Sequence, residues 1–206
     1  ISFEKENFTA VAVYSDFEET ASFACSHPLI DRFWRMTLWS LKSNSTDFPS
    51  DCPTRERSGW TGDSQIFFNT AAYLTDYAAF ARKHVRDIFD RQYKSGRLPQ
   101  IAPRVNEDKI LWWLNGAVGW ACAGVYIPLY FYERYGDKRV LEEHYEDILD
   151  YADFMIRRAG KWGGVYSKPV FLSWKNQKYL VNCGCAYGEW SEPSDVSTFH
   201  WYDFMT

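Results

Sequence analysis

The sequence predicts a mainly α-helical fold, and three observations lead to this prediction. Apolar residues recur every three or four positions over several long stretches, which is the period of a helix with one buried face. A nearly continuous apolar stretch over residues 114–135 is followed by an amphipathic one over residues 138–158, so a buried helix is followed by one that packs outside it. The chain has 206 residues, enough for one sizeable core. We therefore expect one helical domain, or one domain with a fragment of another.

The first part of the chain departs from the helical pattern. Residues 9–23 alternate apolar and polar side chains, which is typical of one or two strands around a turn. After them, Ser26 can cap a helix that has Pro28 near its start, and apolar residues follow at helical spacing. This arrangement predicts a first helix near residues 27–45.

The middle of the chain contains a second helical region. Asp63 can cap a run whose apolar residues share one face, which predicts a helix that continues toward Arg82. Residues 84–93 either continue this helix or form another. Glycine and two prolines then interrupt the pattern, so we expect residues 96–106 to form a loop.

The second half of the chain is predicted to hold one buried and one amphipathic helix. Residues 114–135 are almost all apolar or aromatic and should form a helix that is buried on most sides. Pro128 should kink or interrupt this helix, and Gly136 should end it. Residues 138–158 place apolar side chains on one face and acids on the other, as an outer helix does.

Composition excludes several classes of function. The net charge is −4 and no run of basic residues could follow a phosphate backbone, so nucleic acid is not an expected partner. No apolar stretch is long enough to span a bilayer, so no membrane contact is expected. The four histidines are scattered and the five cysteines are irregularly spaced, so we expect no metal, no other cofactor and no disulfide framework. The ten tryptophans fit either a helical core or the stacking of sugar rings.

The most informative segment is residues 51–63, which combines three acids, two arginines and a tryptophan: Asp51, Arg55, Glu56, Arg57, Trp60 and Asp63. Three neighbouring acids repel one another when all are ionised, so at least one should keep its proton near neutral pH, as a general acid must. An ordinary cluster of surface salt bridges would explain the same charges. The turn-forming Pro53, Gly59 and Gly62 and the apolar tryptophan favour a pocket.

The same segment carries a resemblance to a known family. The chain resembles the α-L-rhamnosidases of glycoside hydrolase family 78 in three places: Asp51-Cys52-Pro53 with Arg55-Glu56-Arg57, Gly59-Trp60 and Gly62-Asp63; Tyr132-Glu133-Arg134-Tyr135-Gly136-Asp137; and Gly188-Glu189-Trp190. The resemblance implies an (α/α)6 barrel, of which residues 25–206 form the N-terminal half. It also implies that residues 1–24 are the end of a preceding β-sandwich domain or a linker.

The resemblance implies a mechanism as well. Family members remove terminal α-L-rhamnose from oligosaccharides or glycosides with inversion, and the glutamate of the motif is the general acid, which here is Glu56. Asp51 and Asp63 match the acids that hold the sugar hydroxyls, and Trp60 matches an aromatic wall of the pocket. Arg55 and Arg57 lie in the same motif, and either can pair with an acid. Trp120 and Trp190 are further candidates for the pocket lining or belong to the core.

The general base is expected beyond residue 206, in the rest of the same polypeptide, which this chain should contact. Glu189 and Glu192 are alternative candidates for the base. Two positions depart from the family pattern: Cys122 stands where the family usually has an aspartate, and Glu189 replaces another. These two departures are expected to affect which substrate the protein recognises.

Two other classes of function are alternatives to an α-L-rhamnosidase. One is another (α/α)6 carbohydrate-active enzyme, such as a polysaccharide lyase, which would need a proton-abstracting Tyr, His or Lys beside a group that neutralises an acid. No such constellation stands out in the sequence. The other is a catalytically incomplete carbohydrate-binding module, which would keep the tryptophans but would not need three acids in one loop.

Overall fold

The computed structural model describes residues 4–103 and 115–161, together with residues 178, 179, 181, 183 and 184. Six α-helices occur in these residues: α1 (Pro28–Ser43), α2 (Thr61–Leu74), α3 (Ala78–Phe89), α4 (Ala123–Tyr135), α5 (Arg139–Glu143) and α6 (Tyr145–Arg158). Two short strands, β1 (Ser45–Thr46) and β2 (Phe48–Pro49), pair in an antiparallel manner after α1. The candidate site residues Glu189, Trp190 and Glu192 lie outside the described residues.

The strands predicted for residues 9–23 do not form. A short 3-10 helix, Lys5–Asn7, precedes this segment, and in the segment itself only Glu19 makes a β-bridge, with Thr75. The backbone N–H of Ser15 donates to the carbonyl of Ser45 at 2.7 Å. A strand needs a neighbouring strand along its length, whereas this segment lies beside the ends of helices in the described part of the chain. Whether residues 1–24 belong to a β-sandwich domain stays a prediction.

The helix predicted near residues 27–45 is confirmed as α1. Pro28 occupies its first position, where the missing N–H costs nothing. The two-residue strands after α1 turn the chain at Asp47, which has a left-handed φ of 68°. This hairpin leads the chain from the end of α1 directly into the loop of residues 50–60, which we call the acidic loop.

The region predicted as one or two helices forms two. The chain leaves the helical conformation at Thr75, with a φ of −143° and a ψ of 165°. Here the backbone N–H of Thr20 donates to the carbonyl of Leu74 at 3.1 Å, and that of Asp76 donates to the carbonyl of Glu18 at 2.9 Å. The pairing with the N-terminal segment therefore ends α2 before α3 begins.

The buried helix is shorter than predicted. The chain forms turns over residues 115–122, and α4 begins at Ala123 and continues through Pro128 without interruption. Gly136 ends it as predicted, with a left-handed φ of 65° and its N–H donating to the carbonyl of Tyr132. The expectation of burial on most sides is wrong for the described residues, because Tyr126 and Tyr132 are among the exposed side chains.

The amphipathic helix predicted over residues 138–158 is divided into α5 and α6 at His144. The imidazole of His144 stacks on Phe89 at 4.4 Å between ring centroids, and its Nδ1 lies 3.2 Å from a carboxylate oxygen of Asp147. The core is formed where α4 packs against α2 and α3, with Phe68, Ile127 and Phe131 almost fully buried. None of the described helices is both long and apolar enough to cross a bilayer.

Candidate active site

The acidic loop between β2 and α2 is closed on itself by hydrogen bonds. The backbone N–H of Asp51 donates to the carbonyl of Ser58 at 3.0 Å, and the N–H of Ser58 donates to the carboxylate of Asp51 at 2.9 Å. Within the closed loop, the N–H of Glu56 donates to the sulfur of Cys52 at 3.2 Å. Arg57 adopts a left-handed φ of 54°. The loop therefore has a defined shape even though many of its side chains are exposed.

The far end of the loop is anchored to a segment about forty residues later in the chain. Trp60 makes a β-bridge with Ile101, and the N–H of Ala102 donates to the carbonyl of Gly59 at 2.8 Å. Gly59 lies so close to the carbonyl group of Ala102 that a Cβ would be 2.9 Å from its carbon. The buried Thr61 completes the anchor, because its N–H donates to the carbonyl of Gln100 at 2.8 Å.

Glu56 is held by two donors. A guanidinium nitrogen of Arg55 donates to one carboxylate oxygen at 2.7 Å, and the indole nitrogen of Trp60 donates to the other at 2.7 Å. Arg57 instead faces the carbonyl of Thr54, with two guanidinium nitrogens at 3.4 Å. Of the two arginines that the sequence left open, the structure therefore pairs Arg55 with Glu56.

Trp120 reaches the loop from the turns before α4. Its ring meets that of Trp60 edge to face, with 6.5 Å between centroids and 64° between planes. It also covers Gly62, where a Cβ would lie 2.9 Å from the Trp120 ring. The hydroxyl of Thr61 lies 2.9 Å from the Trp120 carbonyl. Trp120 thus fits closely against Trp60 at the end of the loop and against the first turn of α2.

Cys122 lies next to this aromatic pair. Its thiol donates to the side-chain oxygen of Gln65 at 3.4 Å and accepts from the N–H of Gly119 at 3.3 Å. Burial raises the pKa of the Cys122 thiol. The position that carries an acid in the pattern of the resembled family is therefore neutral at physiological pH in this chain.

A cavity of about 290 Å³ lies between the end of α1 and the start of α2. Both Asp51 and Asp63 line it, together with apolar side chains that include Leu41, Ile66 and Phe67. Its volume is close to the lower end for pockets that hold small molecules, about 300 Å³. Two carboxylates on an apolar wall are suited to binding hydroxyl groups beside a C–H surface.

Asp63 has an altered acidity. Its carboxyl remains open to solvent through the cavity, but the surrounding protein desolvates it, and this partial burial raises its pKa. The negative charges of Asp51 and Glu56 raise it further, whereas a hydrogen bond from its own backbone N–H opposes the rise. Asp51 and Glu56 are therefore close enough to Asp63 to alter its acidity, and one of the three acids has a raised pKa, as the sequence predicted.

The start of α2 is supported from behind by His84. A ring nitrogen of His84 lies 2.9 Å from the hydroxyl of Ser64, and this hydroxyl donates to the carbonyl of Thr61 at 2.8 Å. The imidazole must therefore donate to the serine oxygen. Burial lowers the pKa of His84 to about 3, with a smaller contribution from the charge of Lys83. The buried ring is neutral and serves as a hydrogen-bond donor.

The structure brings together six of the predicted site residues: Asp51, Arg55, Glu56, Trp60, Asp63 and Trp120. Trp190 lies outside the described residues. Sequence reasoning missed Thr61 and the segment 100–102, which anchor the loop. Neither carries a local signal, because the anchor is a long-range backbone pairing. No cluster of metal-ligating side chains occurs in the part of the chain that the structure describes.

Comparisons with known proteins agree on one family. A family model described as the bacterial alpha-L-rhamnosidase 6 hairpin glycosidase domain matches residues 18–196. An alpha-L-rhamnosidase of Formosa agariphila is 37% identical over 66% of this chain and 14% of its own length. One of Streptomyces avermitilis is 36% identical over 85% of this chain and 15% of its own length. The chain thus spans only about one seventh of the length of these relatives.

Solved structures of rhamnosidases resemble this chain as well. The alpha-L-rhamnosidase of Dictyoglumus thermophilum superposes with a TM-score of 0.72 at 32% identity, over 88% of this chain and 18% of that one. The Streptomyces avermitilis alpha-L-rhamnosidase complexed with L-rhamnose gives a TM-score of 0.66 at 31% identity, over 71% of this chain and 14% of that one.

Proposed function

This chain belongs to the bacterial alpha-L-rhamnosidase six-hairpin glycosidase family, and on that basis we propose that it supplies the general acid of an enzyme that removes terminal α-L-rhamnose. Its helices form part of an (α/α)6 barrel, as the sequence predicted. The proposed substrates are rhamnose-containing oligosaccharides or glycosides, and the reaction is hydrolysis of the glycosidic bond.

The observation that carries the proposal is the arrangement of three acids: Asp51 and Glu56 on the anchored loop and Asp63 in the first turn of α2. Asp51 and Asp63 line the cavity, whereas Glu56 is exposed and is not part of its lining, although it is close enough to Asp63 for its charge to raise the pKa of Asp63. A general acid must reach the leaving group, whereas acids that bind sugar hydroxyls belong inside the pocket. This division supports Glu56 as the acid and the two aspartates as substrate ligands.

We propose an inverting mechanism. Glu56 donates its proton to the glycosidic oxygen as the bond to the sugar breaks, and a second carboxylate removes a proton from the water that attacks the opposite face of the ring. In such enzymes the two carboxyl groups lie roughly 6.5–9.5 Å apart, which leaves room for the water. The base is proposed to come from the rest of the polypeptide, with Glu189 and Glu192 as the alternatives within this chain.

The aromatic residues are proposed to bind the apolar faces of the substrate. Trp60 and Trp120 form an edge-to-face pair next to the acid, and pairs of this kind are rigid enough to orient a ring. Trp190 is proposed as a third aromatic contact. Arg55 contacts Glu56 and is also proposed to bind the substrate.

Hydrolysis of an aryl α-L-rhamnoside by the full-length protein tests the assignment. With a phenyl rhamnoside, whose leaving group needs a proton, we expect turnover in the wild type and a loss of about two to four orders of magnitude in Glu56→Gln, which is the usual contribution of a general acid. Glu133→Gln changes an exposed glutamate on α4 in the same way and should leave turnover unchanged. Equal activity of both variants would remove Glu56 from the mechanism.

The stereochemical outcome tests inversion separately. Proton NMR of the first-formed sugar should show the β anomer when an α-linked substrate is hydrolysed. Accumulation of the α anomer before mutarotation would indicate retention and would contradict the proposed roles.

One observation favours a second candidate function, a catalytically incomplete carbohydrate-binding module. Cys122 places a neutral thiol where the family pattern has an acid. Calorimetry with L-rhamnose separates the two functions, because a binding module would bind the sugar with equal affinity in the wild type and in Glu56→Gln and would show no turnover in either.

A further inference from the structure

We propose that Trp60 is a positioning residue: its indole N–H and the guanidinium of Arg55 together stabilise the ionised form of Glu56 until the substrate displaces Arg55. This inference rests on the proposed role of Glu56 as the general acid. It gives Trp60 a part that differs from that of an apolar wall, because the nitrogen rather than the face of the ring contacts the acid.

The argument begins with the two carboxylate oxygens of Glu56. Arg55 donates to one and Trp60 to the other, both at 2.7 Å. Donors to a carboxylate favour its ionised form, whereas a general acid must carry a proton when the bond breaks. The oxygen that takes up the proton becomes a much weaker acceptor, and its new O–H must point at the glycosidic oxygen. One of the two contacts is therefore weakened in the reaction and is the one expected to open.

The surroundings of the two donors indicate which contact opens. The side chain of Arg55 is 73% exposed. Trp60 is packed against Trp120 and is joined to Ile101 through the backbone. Arg55 is therefore the displaceable donor and Trp60 the fixed one. The proton enters from solvent on the oxygen that Arg55 leaves, and it ends on the oxygen of the leaving group, while Trp60 continues to hold the second oxygen.

Other charged groups also act on Glu56. Two acids lie in the same cluster: Asp63, on α2, and Asp51, at the start of the loop, and the charges of Asp51 and Glu56 raise the pKa of Asp63. Arg57 belongs to the same loop but faces the carbonyl of Thr54, and the sulfur of Cys52 accepts from the backbone of Glu56. Arg55 and Trp60 therefore counteract a cluster of negative charge.

A pair of variants tests the role of Trp60. Trp60→Phe removes the N–H and keeps an aromatic ring, so the ionised form of Glu56 loses a donor. The basic limb of the pH dependence of kcat/KM should then move to higher pH by about half to one unit. The shift is smaller than a fully buried hydrogen bond to a charged group would give, because Glu56 is exposed to solvent. Trp34→Phe, which changes a ring that stacks on Phe23, should leave the limb in place.

The arginines supply a second matched pair. Arg55→Gln should also move the basic limb upward, whereas Arg57→Gln removes the same charge from the same loop and should move it much less. A higher KM at every pH with an unmoved basic limb in Trp60→Phe would assign Trp60 to the substrate wall alone and would overturn the proposal.

A measurement without turnover separates this proposal from the proposed function. In the full-length protein labelled with 15N-tryptophan, the indole N–H resonance of Trp60 is assigned as the one that is absent from Trp60→Phe. This resonance should shift with pH as Glu56 gains or loses its proton. In Glu56→Gln the same resonance should no longer show this titration. A Trp60 resonance that shifts identically with pH in the wild type and in Glu56→Gln would overturn the proposal, even if the protein hydrolyses rhamnosides.

Discussion

Replacing Gly59 with alanine should damage both the stability and the activity of the protein. A Cβ at this position would lie 2.9 Å from the carbonyl carbon of Ala102 and 3.1 Å from a ring carbon of Phe48. Carbon atoms that are not bonded pack best at about 3.5–4.0 Å, and the Ala102 carbonyl oxygen would lie nearer to the Cβ than its carbon does, so the backbone at Ala102 would have to retreat by more than about 0.6 Å. This movement would separate the loop from the segment that anchors it.

The energetic cost follows from the hydrogen bonds at the anchor. Ala102 donates to the carbonyl of Gly59 and Thr61 donates to the carbonyl of Gln100, each at 2.8 Å. Weakening both bonds and overpacking the contact should together cost about 2–3 kcal/mol. For a unit of 206 residues, that corresponds to a decrease in apparent Tm of about 4–12 °C, and the decrease is smaller where the rest of the polypeptide unfolds together with it. Displacing the loop should also reduce kcat/KM by about two orders of magnitude.

Gly136→Ala is the matched control. A Cβ there would meet nothing within 4 Å, so the only cost is the left-handed backbone, about 1–2 kcal/mol. Thermal unfolding and kcat/KM on an aryl α-L-rhamnoside should be measured for both variants of the full-length protein. Gly136→Ala should be slightly less stable with unchanged kcat/KM. A Gly59→Ala variant that is no less stable and no less active than this control would refute the described anchor.

Two further predictions concern pH. Partial burial and the charges of Asp51 and Glu56 raise the pKa of Asp63, so the folded protein holds this proton more tightly than the unfolded chain and loses stability as the pH rises through that pKa. Asp63→Asn should therefore increase the apparent Tm at neutral pH, lose this gain at acidic pH, and lower kcat/KM; an unchanged Tm at neutral pH would contradict this. Burial lowers the pKa of His84 to about 3, so the unfolded chain binds a proton first and stability falls as the pH drops from about 6.5 toward 3. Thermal unfolding of His84→Gln should show a smaller loss of stability than the wild type between pH 6.5 and 3. An equal loss in both proteins would show that the ring of His84 takes up its proton in the folded state as readily as in the unfolded chain.

Parts of the fold could be predicted because their signals are local. Pro28 starts α1 and Gly136 ends α4 through conformational preferences that each residue carries by itself. The breaks at Thr75 and His144 depend on contacts with residues far away in the sequence: the pairing with Glu19 and the stacking on Phe89. Periodicity alone therefore predicted longer helices than the structure contains.

The candidate site shows the same division. The composition of the loop predicted that Asp51, Glu56 and Asp63 influence one another. It could not decide which arginine contacts the acid, since that depends on the backbone of Arg57. It also suggested only an apolar role for Trp60, because a sequence does not reveal where an indole nitrogen points.

The central claim is that Glu56 protonates the leaving group, and the dependence on the leaving group tests it most directly. We would measure kcat/KM of the wild type and of Glu56→Gln on a dinitrophenyl and on a phenyl α-L-rhamnoside. Dinitrophenolate departs without a proton, so the variant should hydrolyse that substrate nearly as well as the wild type and lose most of its activity on the phenyl compound. An equal loss on both substrates would contradict the assignment of Glu56 as the general acid.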